Sequence, residues 1–282
     1  MLQELGEERA HGLDVDVLDD QRLTETVGEA QPSAVIHLAA VSSVAESWKD
    51  AGDAWRVNAV GTVNLLQAVR REAPAARVLV VSTGEVYGRA KEVPTSERSP
   101  VAPLSPYAAS KAAAEVACAQ ERAGGLDVVV ARAFQHEGPG RDERFAVGSW
   151  THQIAKLEQA GGGALKVGDI SARRDITDVR DVCRAYRLLL DPSVPPETYN
   201  VASGRAVSME EVLQLLVGLA RCPVEVDPDP DRFRPAELPV VCGDASRLRS
   251  ATGWEPEIPL EQTLADALDY ARNAVSERAA KT

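Results

Sequence analysis

An α/β fold built on a doubly wound parallel sheet is predicted for this 282-residue chain by three features. Short apolar runs rich in valine alternate with longer segments of helical apolar spacing, which is the texture of repeated βα units. The runs at 35–40 and 78–82 lead into small or hydroxyl-bearing residues, as strands do where an open α/β sheet presents its carboxyl ends to a ligand. Beyond Phe134 the pattern breaks into turn-rich sequence and mixed elements, which predicts a smaller α+β lobe after the sheet.

Taken in order, 35–40 reads as a buried strand and its exit, and 55–71 as a helix that carries Asn58, Gly61 and Asn64 among its apolar positions. The valine run at 78–82 is the next strand. Pro106 stands at the head of an alanine-rich stretch, which predicts a helix over 106–122. A strand at 126–133 precedes the turn-rich break at 134–140, a helix at 145–159 and a loop at Gly161 to Gly163. The helix at 179–190 and the strand at 199–202 return to the sheet. Ser208 and Glu211 form a capping box for a helix at 208–220. A loop rich in Pro and Asp covers 227–239, and a last helix runs over 260–274.

Composition narrows the function classes. A net charge of −12 with no basic stripe argues against a nucleic-acid partner, so an anionic ligand must be met by a few local arginines in a pocket. Cys118, Cys183, Cys222 and Cys242 lack C-x-x-C spacing, which predicts unpaired thiols in a reducing, cytoplasmic setting and no metal site. The acidic N-terminus has no apolar stretch of the signal type, and no apolar run approaches membrane-spanning length, so no membrane association is expected.

The chemistry is expected at Tyr107 and Lys111. Four residues apart on the predicted 106–122 helix, they stack on one face, so the ammonium can stabilise a phenolate. That would bring the phenol into use as a proton donor or acceptor near neutral pH, below its ordinary pKa of ~10. The spacing alone is common; its position after a strand ending in Ser82 and Thr83 gives it weight.

With His37-Leu-Ala-Ala40, Asn58-x-x-Gly-Thr-x-Asn-Leu-Leu66, Ser82-Thr-Gly-Glu-Val-Tyr-Gly88, Tyr107-x-x-x-Lys111, the 172–181 segment and Arg232-x-Arg-Pro-Ala-Glu-Leu-Pro239 in order, the chain resembles the extended short-chain dehydrogenase/reductase family that modifies nucleotide sugars. The likeness runs over about 13–272 and is strongest to the subgroup of GDP-4-keto-6-deoxy-mannose reductases and GDP-mannose 4,6-dehydratases. It implies a Rossmann-like fold, with 1–135 and about 174–203 forming the dinucleotide-binding part and 136–173 and 204–282 the substrate lobe. It implies hydride exchange between NADPH or NADH and C4 of a bound sugar. Tyr107 would hand a proton to the C4 oxygen while Lys111 tunes the phenol and holds the nicotinamide ribose. Thr83 would bond the same oxygen. Glu85 matches the glutamate that removes the C5 proton in dehydratases, although reductases of the subgroup also carry it.

The resemblance further assigns Asp16, Val17, Leu38, Ala39, Ala40 and Asn58 to the cofactor, and Ser43, Gln135, Arg174, Arg234 and Glu237 to the GDP-sugar. Guanidinium forks suit a diphosphate, though either arginine could equally belong to a surface salt bridge. Gln135 departs from the family's Asn. His37 and His136 read as structural, and the four tryptophans as packing residues. The family's opening Gly-x-x-Gly-x-x-Gly turn has no match, and 14–19 resembles the segment that contacts adenine after the third strand, so Met1 is expected to start inside the domain, either in a truncated reading frame or in a remnant that binds cofactor weakly. The reactions kept open are reduction of GDP-4-keto-6-deoxy-mannose, dehydration of GDP-mannose, and non-catalytic nucleotide-sugar binding. A homodimer through the 106–122 and 55–71 helices is also implied.

Overall fold

The computed structural model describes residues 10–232 and 238–280. Helix α1 (Asp20–Ala30) leads into strand β1 (Ala34–His37), then α2 (Val44–Lys49) and α3 (Ala51–Trp55). A π turn at Arg56–Val60 joins α3 to α4 (Gly61–Glu72), and β2 (Arg77–Thr83) runs into a short 3₁₀ turn at Gly84–Tyr87. Helix α5 (Pro106–Ala123), strands β3 (Val128–Ala133) and β4 (Gln135–Glu137) and helix α6 (Ala146–Ala160) follow. Then come β5 (Gly163–Val167), β6 (Arg173–Asp178), α7 (Val179–Leu189), β7 (Thr198–Val201), β8 (Ala206–Ser208) and α8 (Met209–Gly218). The chain closes with β9 (Val224–Pro228), β10 (Val240–Val241), α9 (Ser246–Thr252) and α10 (Leu260–Ala280).

Strands β1, β2, β3 and β7 form a four-stranded sheet in that order, every pair parallel. Side chains alternate across it with the period of two that a strand imposes. Val78, Val80, Val128 and Val130 pack against α1, α4 and α5 on one face, through Leu23, Leu66, Val69 and Cys118. Leu79, Val129 and Ala131 face the opposite core with α7 and α9. Helices therefore cover both faces, as a Rossmann-like doubly wound sheet requires, and near-continuous valine runs are what such two-sided burial selects. Among the described residues β1 pairs on one side only.

A second core gathers Val147, Ile154, Leu165, Leu213, Leu216 and Leu268 between α6, α8 and α10 and the two-stranded β5–β9 sheet. Strand β6 sits between β10 and β4 and also pairs antiparallel with β8. The loop expected to begin at 227 starts later, because Asp227 and Pro228 belong to β9, where Val224 to Pro228 pair with 163–167. That contact between segments far apart in sequence also draws the glycine loop at 161–163 into a strand end. The helix expected at 55–71 is longer and bulged, starting at Ala51.

Candidate active site

The site is assembled where β2 ends and α5 begins. Ser105 accepts from the Ala108 amide at 3.1 Å and Pro106 occupies the first turn, so α5 starts where the cap fixes it. Tyr107 then lies in its first turn and Lys111 one turn further on, 3% exposed. From the opposite side, Thr83 closes β2 and its hydroxyl accepts from the Glu85 amide at 3.2 Å, tightening the 3₁₀ turn. Gly84 between them lies against Phe134: a Cβ there would come within 2.8 Å of the ring.

The Tyr107 hydroxyl lies near the Thr83 side chain and within electrostatic reach of Glu85 and Arg141. Three of the four expected catalytic side chains are thus brought near one another, and Lys111 follows Tyr107 one turn along α5. The residue keeps some solvent contact, but its hydroxyl is enclosed by protein, and burial, reinforced by Glu85, drives the phenol well above its ordinary value against the pull of Thr83 and Arg141. The lowered phenol pKa expected for Tyr107 is therefore corrected. Burial also pushes Lys111 down to about 8, with Glu115 opposing that shift. Desolvation and the Glu85 carboxylate outweigh the opposing neighbours, so Tyr107 holds its proton in this structure.

Cofactor candidates cluster at the mouth of β1. Leu38 is 45% exposed, and Ala39 and Ala40 present open backbone after the strand. Ala40 also lines an open groove of about 420 Å³ with Lys49 and Arg144 and with the carboxylates of Glu46, Asp50 and Asp53. The segment carrying Asp16 and Val17 is laid on α4: the Asn64 amide donates to the Val17 carbonyl at 3.0 Å, and a Cβ on Gly61 would come within 2.5 Å of the Val17 side chain. Asn58 is fully buried in the π turn and spends its amide on the chain itself. Its Oδ1 accepts from Val41 N at 2.8 Å, and its Nδ2 donates to Val41 O at 3.0 Å and to Ser110 Oγ at 2.9 Å. It fixes the ledge after β1 against α5.

Among the substrate candidates, Ser43 is buried and caps α2 by accepting from the Glu46 amide at 3.3 Å. Gln135 donates to Glu137 Oε1 at 3.0 Å. Arg174 donates to the backbone carbonyls of Arg173 and Leu238 at 2.9 and 2.8 Å. Arg234 and Glu237 lie outside the described residues. His37 is 4% exposed, 3.1 Å from Thr62 Oγ1 and lowered to about 4 by burial and Lys111, a neutral packing group. His136 is held at 3.0 Å by the Phe134 carbonyl.

Residues that no motif brought forward also converge here. Arg141 stacks 3.6 Å over Phe145, and its Nε lies 3.4 Å from Oε2 of the buried Glu137, an ion-pair contact in which neither atom makes a hydrogen bond. The Gly138-Pro-Gly140 turn before it was the available signal, since such a turn re-aims the chain. Ser47 accepts from the Tyr107 amide at 3.1 Å.

A family model for GDP-mannose 4,6 dehydratase matches residues 2–267. The chain belongs to that family. GDP-6-deoxy-D-mannose reductase of Pseudomonas aeruginosa is 41% identical over 237 residues, which is 83% of this chain and 78% of that protein. GDP-mannose 4,6-dehydratase of Yersinia enterocolitica is 29% identical, with 89% of this chain and 76% of that protein aligned. The structure of RMD from Pseudomonas aeruginosa complexed with NADPH superposes with a TM-score of 0.88 at 37% identity, covering 97% of this chain and 94% of that one. Among the described residues no helix is long and apolar enough to cross a membrane.

Proposed function

We propose that this family member is an oxidoreductase that reduces GDP-4-keto-6-deoxy-mannose to a GDP-6-deoxyhexose with NADPH or NADH. The observation that carries the reading is the enclosed Tyr107 hydroxyl, near Thr83 and still protonated, one helical turn from Lys111. A carbonyl oxygen that becomes an alkoxide needs a proton donor in place, and a phenol held neutral by burial is one.

The residues present fit a nicotinamide cofactor: an open backbone ledge at Leu38 to Ala40 at the carboxyl end of a parallel strand, with a buried lysine on the neighbouring helix. Leu38, Ala39, Ala40, Lys111 and the Asp16–Val17 segment would hold it, and Asn58 would keep the ledge in register. Bound there, the cofactor supplies hydride to the sugar carbon. Thr83 orients the sugar oxygen toward Tyr107. Tyr107 donates its proton, and the Lys111 ammonium offsets the negative charge left on the phenol. Ser43, Gln135, Arg174, Arg234 and Glu237 are assigned to the GDP-sugar, with 136–173 and 204–282 as the substrate lobe. Support for reduction comes from the 41% identical reductase of Pseudomonas aeruginosa.

A dehydratase reading is favoured by one observation, the Glu85 carboxylate near the Tyr107 hydroxyl. Supplying GDP-4-keto-6-deoxy-mannose with NADPH should consume the cofactor's absorbance; GDP-mannose converted to keto-sugar without net cofactor change would replace the reductase assignment with the dehydratase one. Binding of GDP-sugar with no turnover of either would leave a non-catalytic binding protein. We also place the protein in the cytoplasm, in keeping with its four free cysteines, and as a homodimer through α5 and the π turn with α4, where Val116 and Val60 stand 71% and 50% exposed.

A further inference from the structure

A buried ion pair outside the assigned site touches both halves of it. Glu115 is one turn beyond Lys111 on α5, and its side chain is 10% exposed. It accepts from Arg132 Nε at 3.0 and 3.1 Å, from Arg132 Nη2 at 2.5 Å and from the Ser82 hydroxyl at 2.5 Å. Ser82 is the residue before Thr83. Arg132, on the central strand β3 and 8% exposed, extends Nη1 to the Tyr87 hydroxyl at 2.8 Å and stacks 4.7 Å over the Tyr87 ring. Tyr87 ends the 3₁₀ turn that carries Glu85, and its hydroxyl donates to Asn200 Oδ1 at 2.7 Å. The two charges therefore grip the turn at both ends, at Ser82 and Tyr87, and tie it to the helix of Tyr107 and Lys111.

We infer that Glu115 and Arg132 are positioning residues for the reduction proposed above, holding Thr83 and Glu85 in register with Tyr107 and Lys111. Burying two charges is not by itself a stabilising choice, since an apolar pair of similar shape is often as stable. What the pair supplies is direction: a bidentate guanidinium–carboxylate contact admits one geometry where apolar packing admits several. An error of about 1 Å at a reacting centre costs on the order of 100-fold in rate, so register there matters more than net stability. Glu115 also contributes charge to Lys111. The groups acting on or near that ammonium are Glu115 and Cys118 from its own helix and His37 from β1, and Glu115 is the carboxylate among them.

This inference rests on the functional reading above, so its test has one arm that needs no turnover. In the ligand-free protein the Lys111 side chain is titrated by NMR, assigned with Lys111→Met, in the unaltered chain, Glu115→Gln and the double variant Glu115→Gln/Arg132→Gln. The double variant removes both charges and leaves neither unpaired. The Lys111 midpoint should fall in both variants, by about half a unit or more, because the ammonium loses its carboxylate. In the second arm, kcat with keto-sugar and NADPH should fall roughly 10- to 100-fold while KM moves less than about twofold. Folded variants with an unchanged midpoint and unchanged kcat overturn the inference. Should both charge variants fail to fold, Ser82→Ala decides: the loss of one Glu115 donor should lower kcat with KM held, and an unchanged kcat overturns it. An unaltered chain that does not consume NADPH rejects the reductase assignment alone, and the titration still tests the positioning of Lys111.

Discussion

The proton-handling centre and the arginine segment on β6 handle charge in opposite ways. Tyr107 and Lys111 are desolvated, shifted from their ordinary pKa values and held by neighbours whose hydrogen bonds are nearly all made inside the protein. Arg174 stays half-buried and donates to backbone carbonyls of Arg173 and Leu238. A proton donor must have its energy set before substrate arrives, and burial sets it. A guanidinium proposed to meet a diphosphate keeps its charge in any surroundings and needs only reach and geometry.

The largest effect that could break this contrast belongs to Tyr107. Tyr107→Phe should lower kcat with keto-sugar by between about 10² and 10⁴-fold with little change in KM, measured by loss of NADPH absorbance. A residual rate near that of the unaltered chain would remove the desolvated phenol from the mechanism.

Next comes the pH dependence. Lys111 carries its charge below about 8 and loses it as pH rises through that value, because its folded pKa lies below the ordinary lysine value. Tyr107, raised, stays protonated across the same window. The kcat/KM profile should therefore fall on the alkaline side near pH 8, and that limb should vanish in Lys111→Met, whose remaining rate should be lower by about 10²-fold at pH 7. A profile flat to pH 10 would contradict the buried-ammonium account.

The arginine side of the comparison predicts a different signature. Arg174→Ala should raise KM roughly 10-fold and leave kcat within about twofold, since the lost contact acts equally on ground and transition states. Should kcat fall and KM hold, Arg174 belongs with the chemistry instead.

The smallest effect sharpens the contrast through two helix caps. Ser105→Ala and Ser208→Ala each remove a hydroxyl that accepts an amide, at 3.1 and 3.0 Å, and each should cost about 1 kcal/mol of stability by denaturant unfolding. Only Ser105→Ala should also lower kcat, because α5 carries the reacting side chains and α8 does not.

Much of this was legible in local pattern. The strands at 78–82 and 126–133, the helix at 106–122 and the cap at Ser208 lie where spacing and cap chemistry put them, within the few residues by which helix and strand ends fray. Strand β9 was not legible, because Val224 to Pro228 is extended only by pairing with 163–167 and otherwise carries the turn residues Asp and Pro. The π turn that buries Asn58 was hidden for the same reason: its sequence is ordinary helix, and the bulge answers to Val41 and Ser110 on other elements.

The sequence by itself determined where the groups proposed for the chemistry stand, since Tyr107 and Lys111 owe their common face to the pitch of one helix, and Thr83 its place to the end of one strand. Only the tertiary structure decided their charge states and the aids around them. Desolvation is a property of what folds over a group, so the raised Tyr107, the lowered Lys111, and the arrival of Arg141 and of the Glu115–Arg132 pair at the site exist only once distant segments have packed together.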